Sequence, residues 1–125
     1  MAKVLIADDS RVFVQLLTGW LQELGLEVVA TFDAVQAWVT AIRTQPNTII
    51  LDISMPGGSG IEVLKRLKSS TKTQHIPVLV ISGNAGPETR DLVKRLGAAE
   101  LLEKPLNCDA LCALVSQLVV PPPNK

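Results

Sequence analysis

The 125-residue chain has no tyrosine, only two Trp, two Phe and two Cys, and no surplus of charge, with 12 Lys and Arg against 12 Asp and Glu. Neutrality removes the long-range positive field that drives non-specific binding to nucleic acid, and no Lys/Arg-rich run restores it locally. Cys108 and Cys112, four residues apart, provide no disulfide framework. With no targeting segment, they point to a reduced, cytoplasmic setting. Apolar runs are short, as at residues 4–7 and 78–81, against the roughly 20 residues that cross a bilayer. Asp8 and Asp9 cut off the first of them, so there is no secretory signal core. The hydrophobic share is 47%. A single domain of this length buries roughly 68% of the surface its unfolded chain exposes and needs neither disulfide nor structural metal for its core.

Short apolar runs alternate with segments of helical period. Residues 3–7, 27–32, 48–52, 77–82 and 101–102 read as strands, and residues 11–24, 34–44, 61–69, 87–96 and 108–119 as helices. In the first helix Phe13, Leu16, Leu17, Trp20 and Leu24 recur at helical spacing, with Ser10 as N-cap and Gly25 as stop. The second helix ends before Gln45-Pro46. Pro87 opens the fourth and Gly97 closes it. The third strand shows no alternation, as expected when both faces are covered. Strands that each lead into a helix imply right-handed crossovers, and hence an α/β doubly wound five-stranded parallel sheet with five helices on two faces. Residues 1–120 form the domain. Residues 121–125, Pro-Pro-Pro-Asn-Lys, cannot continue a helix and read as a tail or the start of a linker.

Sheets of this kind bind ligands at the C-terminal ends of their strands, near the point where strand order reverses. Asp8 and Asp9 close the first strand, Asp52 the third and Ser82 the fourth, and Lys104 follows the fifth. Three converging carboxylates repel one another unless a cation or a lysine offsets them. Mg²⁺ suits such a cluster, because it takes a few carboxylate oxygens and fills its octahedral shell with water and phosphate. A carboxylate beside the ion can attack a phosphoryl group while the metal withdraws charge. Ser82 can donate a hydrogen bond to a phosphoryl oxygen, and Lys104 can supply a point charge to another. Singly these residues are undistinctive; together they fall at the strand ends of one sheet.

The segments Ile6-Ala7-Asp8-Asp9-Ser10, Leu51-Asp52-Ile53-Ser54-Met55-Pro56-Gly57, Ile81-Ser82-Gly83 and Glu103-Lys104-Pro105 resemble, in order and spacing, the four signature segments of response-regulator receiver domains of two-component signalling. The resemblance implies the flavodoxin-like strand order 2-1-3-4-5. It implies a phosphoryl group accepted on Asp52 from a histidine kinase or histidine phosphotransfer protein, and Mg²⁺ or Mn²⁺ held by Asp9 and Asp52, with Asp8 assisting through water and the Ser54 backbone carbonyl completing the shell. It further implies that Lys104 contacts the phosphoryl group, that Ser82 is the switch hydroxyl with Gly83 beside it, and that the bond before Pro105 is cis, which is uncommon even for proline. Such a domain is a phosphoacceptor with at most self-catalysed phosphotransfer and dephosphorylation, not an enzyme, and it changes the affinity of a distal face for an effector domain or protein.

Three departures stand out. Leu101 occupies the position, three residues before the lysine, where the family commonly carries an aromatic, so activation would either use backbone shifts around residues 83–86 or be small in amplitude. Gly57-Gly58-Ser59-Gly60 lacks the acidic residue frequent in that turn, which should loosen the loop without touching the chemistry. Ser54 and Asn84, at positions that tune hydrolysis in the family, are small and neutral.

Other conspicuous residues have plain readings. Cys108 and Cys112 lack a further ligand at matching spacing and read as small, half-buried apolar residues. His75 reads as an exposed loop residue, and Trp20 and Trp38 as packing residues. If Leu111, Leu114, Val115 and Leu118 face the sheet, then Ala113, Val119 and Val120 leave an apolar outer face on the last helix, suited to homodimerisation or a target. A haloacid-dehalogenase-type phosphatase would need a second carboxylate where Ser54 stands. Nucleotide or flavin binding would need a Gly-rich turn or a hydroxyl cluster where Asp8-Asp9-Ser10 stands. The remaining alternative is a receiver-like interaction module that works without phosphorylation.

Overall fold

Five parallel strands, β1 (Lys3–Ala7), β2 (Glu27–Thr31), β3 (Thr48–Asp52), β4 (Val78–Ser82) and β5 (Glu100–Glu103), pair in the order β2-β1-β3-β4-β5 in the computed structural model, which describes residues 2–55 and 60–119. The helices α1 (Arg11–Glu23), α2 (Ala34–Thr44), α3 (Gly60–Ser69), α4 (Pro87–Arg95) and α5 (Cys108–Val119) connect and follow them. The expected doubly wound sheet is therefore present. The expectations for residues 56–59, 120 and the tail 121–125 lie outside the described residues. No helix among the described residues is long and apolar enough to cross a membrane.

Side-chain alternation along the strands sorts the core into two layers. Leu5, Ala7, Ile49, Leu51, Val78, Val80 and Leu101 pack under α2, α3 and α4. Val4, Ile6, Ile50, Leu79 and Ile81 face the other way, against Val14, Leu17 and Leu21 of α1 and Leu111 and Val115 of α5. All five residues of β3 are buried, as its lack of alternation predicts. Ser10 caps α1 by accepting from the Phe13 N–H, and Asp33 does the same for α2 through Gln36. Gly25, at φ 82°, ends α1 in the left-handed conformation.

The apolar stripe of α1 differs from the sequence expectation. Its buried residues are Val14, Leu17 and Leu21, while Leu16 is 49% and Leu24 44% exposed. Leu16 lies one position off the stripe, so the turn of the helix carries it to the rim, with Phe13 and Trp20 half-buried on the flank. Val119 also departs from expectation, packing with Leu114 and Leu118 against the α1/α5 layer. Ala113 remains exposed, as do the loop residue His75 and the outer positions Val35 and Val39 of α2.

Candidate functional site

The site follows from strand register. β1 and β3 are paired with Ala7 opposite Leu51, so the next residues out, Asp8 and Asp52, leave neighbouring strands at the same height. Both continue the alternation onto the α1 side of the sheet. Each then folds into the same local turn: Asp8 Oδ1 accepts from the Ser10 N–H at 2.9 Å and Asp52 Oδ1 from the Ser54 N–H at 2.9 Å. The Ser54 hydroxyl adds a second hydrogen bond to Asp52 Oδ1 at 2.7 Å. An Asp accepting from the backbone two residues on is a standard chain reversal at a strand end. Here it commits one oxygen of each carboxylate and leaves the other, Oδ2, turned to the centre of the site.

Both Oδ2 atoms meet Lys104. Its ammonium lies 3.0 Å from Asp8 Oδ2 and 3.4 Å from Asp52 Oδ2. Lys104 reaches them because β5 pairs Glu103 with Ser82, so that the Lys104 N–H donates to the Ser82 carbonyl at 2.9 Å. Its side chain runs back under α1, with Nζ 4.3 Å from the Phe13 ring centroid, a cation–π distance. Carboxylate oxygens of Asp8, Asp9 and Asp52 all lie within 4.8 Å of one another. Asp8 and Asp52 are buried, and Asp9 is exposed at the mouth.

Electrostatics make the site a cation sink. Burial raises the Asp8 carboxyl above its usual range and the Asp52 charge adds to this, outweighing the Ser10 hydrogen bond and Lys104, which act the other way. For Lys104, burial pulls the ammonium down, but Asp8 and Asp52 more than reverse it and hold it above its ordinary value. One lysine cannot complete the set. Among the described residues, the partner of the buried Asp8 Oδ2 is the Lys104 ammonium, 3.0 Å away. A hard divalent cation fits three carboxylates arranged in this way.

Ser82, Gly83 and Pro105 are at the same edge in different roles, while Leu101 lies further back in β5. Ser82 is buried and its Oγ accepts from the Asn84 N–H at 3.1 Å, without bonding to Asp52. Gly83 is exposed beside it. Leu101 is only 8% exposed and packs under α4, and the Lys104–Pro105 bond is cis. Two contributions were missed from sequence. The Ser54 hydroxyl holds Asp52, which the repeated Asp-x-Ser spacing of Asp8–Ser10 and Asp52–Ser54 could have suggested. Glu103 accepts from the Ala85 N–H at 3.1 Å, and no local pattern signals it.

Gly60, the first residue of α3, is a further surprise. A Cβ there would overlap Ile53 Cα and stand 2.7 Å from the Asp52 carbonyl oxygen. It is absent because the helix start presses on the backbone that carries Asp52. Gly60 thus acts by close approach, where the sequence suggested only a loosened loop.

This fold and this strand-end cluster define the chain as a response regulator receiver domain; it belongs to that family, whose match spans residues 4–116. Among its relatives, it is 36% identical over 117 residues to the response regulator PleD of Caulobacter vibrioides, covering 94% of this chain and 26% of PleD, so it spans about a quarter of that protein's length. It is 28% identical over 119 residues to the protein PilH of Pseudomonas aeruginosa, covering 95% of this chain and 98% of PilH. The chemotaxis response regulator CheY4 of Vibrio cholerae has a similar structure, with a TM-score of 0.87 at 31% identity over 94% of this chain and 98% of that one.

Proposed function

We propose that this receiver domain is a phosphorylation-activated signalling switch in the cytoplasm, in which the Asp52 carboxylate accepts a phosphoryl group from a phosphohistidine on a kinase or phosphotransfer protein. The observation that carries this reading is the pairing of two buried carboxylates at adjacent strand ends, each with one oxygen committed to its own turn and the other facing a single lysine. A carboxylate held in place and relieved of repulsion by neighbouring cations is suited to in-line attack on phosphorus.

Each residue has a part in that step. Asp8, Asp9 and Asp52, with the Ser54 carbonyl, are the residues that would hold Mg²⁺ or Mn²⁺, which supplies neutralisation of the phosphoryl oxygens when bound. Ser54 orients the nucleophile through its two hydrogen bonds. Asp52 forms the new bond to phosphorus, and the bond from phosphorus to the donor's imidazole nitrogen breaks, returning its electron pair to the ring. Lys104 stays charged throughout and moves from carboxylate oxygen to phosphoryl oxygen. Ser82 gives up its contact with the Asn84 N–H and turns its hydroxyl to the phosphoryl group. The chain acts as acceptor, and a water that later cleaves the aspartyl phosphate returns it to the start.

An apolar groove at the rim supports a protein donor. Phe13, Leu16, Trp20, Pro105 and Leu106 line a space of about 440 Å³ that runs up to Lys104. Val12, 78% exposed, extends the same helix surface. A donor that delivers its histidine to Asp52 must cover this rim, and an apolar helical face is the surface complementary to it.

Incubation with acetyl phosphate and Mg²⁺ tests the assignment. Wild type should become labelled and Asp52→Asn should not. Failure of wild type to label, or equal labelling of the variant, would overturn it and favour a module that binds partners without phosphorylation.

A further inference from the structure

The end of β5 carries two charged residues that point to opposite faces of the sheet. Lys104 faces the carboxylates under α1. Glu103 faces α4, where its two oxygens are divided: Oε2 accepts from the Ala85 N–H at 3.1 Å, and Oε1 stands 3.4 Å from the Arg90 guanidinium. Ala85 belongs to the loop 83–86 that leaves Ser82, and Arg90 lies in the first turns of α4. The N-cap of α4 is Gly86, which has no side chain to satisfy the helix start. Glu103 therefore brings a carboxylate from a neighbouring strand to the positive end of α4, where a negative charge is favoured.

We infer that Glu103 is a positioning residue that couples the phosphoacceptor site to α4, holding the Ser82–Ala85 loop in its resting geometry and passing movement of Lys104 to Arg90. The inference rests on the phosphoacceptor reading of Asp52. Lys104 and Glu103 are consecutive, so a shift of the lysine toward a phosphoryl group at Asp52 moves the backbone from which Glu103 projects. Turning the Ser82 side chain inward releases the Asn84 N–H, and the very next amide, that of Ala85, is the one Glu103 holds. Leu101, the residue through which the strand would otherwise reach α4, is a buried aliphatic side chain with no polar atom to exchange partners. Glu103 is the group at this end of β5 that bonds both the loop and the helix.

The test uses beryllofluoride with Mg²⁺ as phosphoryl mimic, read by amide chemical shifts in wild type, Glu103→Ala, Glu103→Gln and Arg90→Ala. Before any mimic is added, Glu103→Ala should shift the Ala85 amide upfield, while Glu103→Gln, which keeps an acceptor, should largely restore it. On saturation with the mimic, wild type should show shifts at Asp52, Ser82, Ala85 and residues 87–94. Glu103→Ala should bind the mimic roughly three- to tenfold more tightly, the loss of one charged hydrogen bond that resists rearrangement. It should retain the shifts at Asp52 and Ser82 and lose most of those at residues 87–94, with Arg90→Ala giving the same decoupling. An unchanged response of residues 87–94 in Glu103→Ala, or an unchanged Ala85 amide before addition, overturns the inference. Wild type that binds no mimic overturns the phosphoacceptor reading instead, and the Ala85 shift before addition then still decides whether Glu103 holds the loop.

Discussion

Lys104 Nζ stands 3.0 Å from Asp8 Oδ2, a carboxylate oxygen buried at the end of β1. The ammonium offsets part of the charge of Asp8 and Asp52, as a divalent cation held by the same carboxylates would. A cation held by these carboxylates would share them with the ammonium, because the register brings the ends of β1, β3 and β5 together.

Asp8 should cost stability when metal is absent. Its folded carboxyl sits above its usual range because it is buried. The native state therefore binds this proton more tightly than the unfolded chain, and its favourable contribution is complete below the unfolded pKa and lost as pH rises through the folded one. Asp8→Asn keeps the oxygen that accepts from Ser10 and does not titrate. In EDTA the variant should exceed wild type in denaturant midpoint at neutral pH, with the advantage shrinking as pH falls through the carboxylate range. Mg²⁺ should raise the wild-type midpoint more than the variant's. A variant less stable at neutral pH would contradict this account.

Lys104→Met should destabilise the metal-free protein by about 2 kcal/mol, less than the 3–5 kcal/mol of a fully buried pair because the lysine is itself partly solvated. Its side chain is 27% exposed, against 1% for Asp8. Because the variant removes the competing ammonium, it should also bind Mg²⁺ more tightly. Tryptophan fluorescence during Mg²⁺ titration, with denaturation in EDTA, reads both effects.

Gly60→Ala should cost roughly 3 kcal/mol or more, since the added methyl meets backbone that cannot give way cheaply. Its Cβ would collide with the Ile53 Cα and crowd the Asp52 carbonyl. Gly19→Ala, with nothing within 4 Å of the new atom, should be neutral or stabilising in the same thermal melts.

Leu16→Glu should leave stability within about 0.5 kcal/mol of wild type, as expected for a rim position. Leu16 is 49% exposed and lines the groove beside Lys104. Labelling by acetyl phosphate, which needs no protein surface, should be unchanged. Transfer from a phosphorylated histidine phosphotransfer domain should fall by about tenfold or more if the groove is the donor's docking face. Equal loss with both donors would place the defect in the chemistry.

Much of this protein is legible in local pattern. The five strand–helix units, the cap at Ser10 and the stop at Gly25 follow from periodicity and turn chemistry acting within a few residues. The strand-end positions of Asp8, Asp9, Asp52, Ser82 and Lys104 follow too, because polar residues that close apolar runs must emerge at the sheet's edge. The exposure of Leu16 was less legible, since spacing alone does not give the phase of a helix against its sheet. Leu17 and Leu16 carry the same hydropathy, and packing against β1 and α5 chooses between them.

By itself the sequence determined the elements, their order and which edge of the sheet would carry charge, since each depends on interactions between near neighbours along the chain. Only the tertiary structure decided which oxygen of each carboxylate faces the site, that one lysine bridges Asp8 and Asp52, that Gly60 admits no side chain and that Glu103 bonds Ala85 and Arg90. Those relationships join residues from 7 to 96 positions apart, and their distances depend on strand register and sheet twist, which no local pattern encodes.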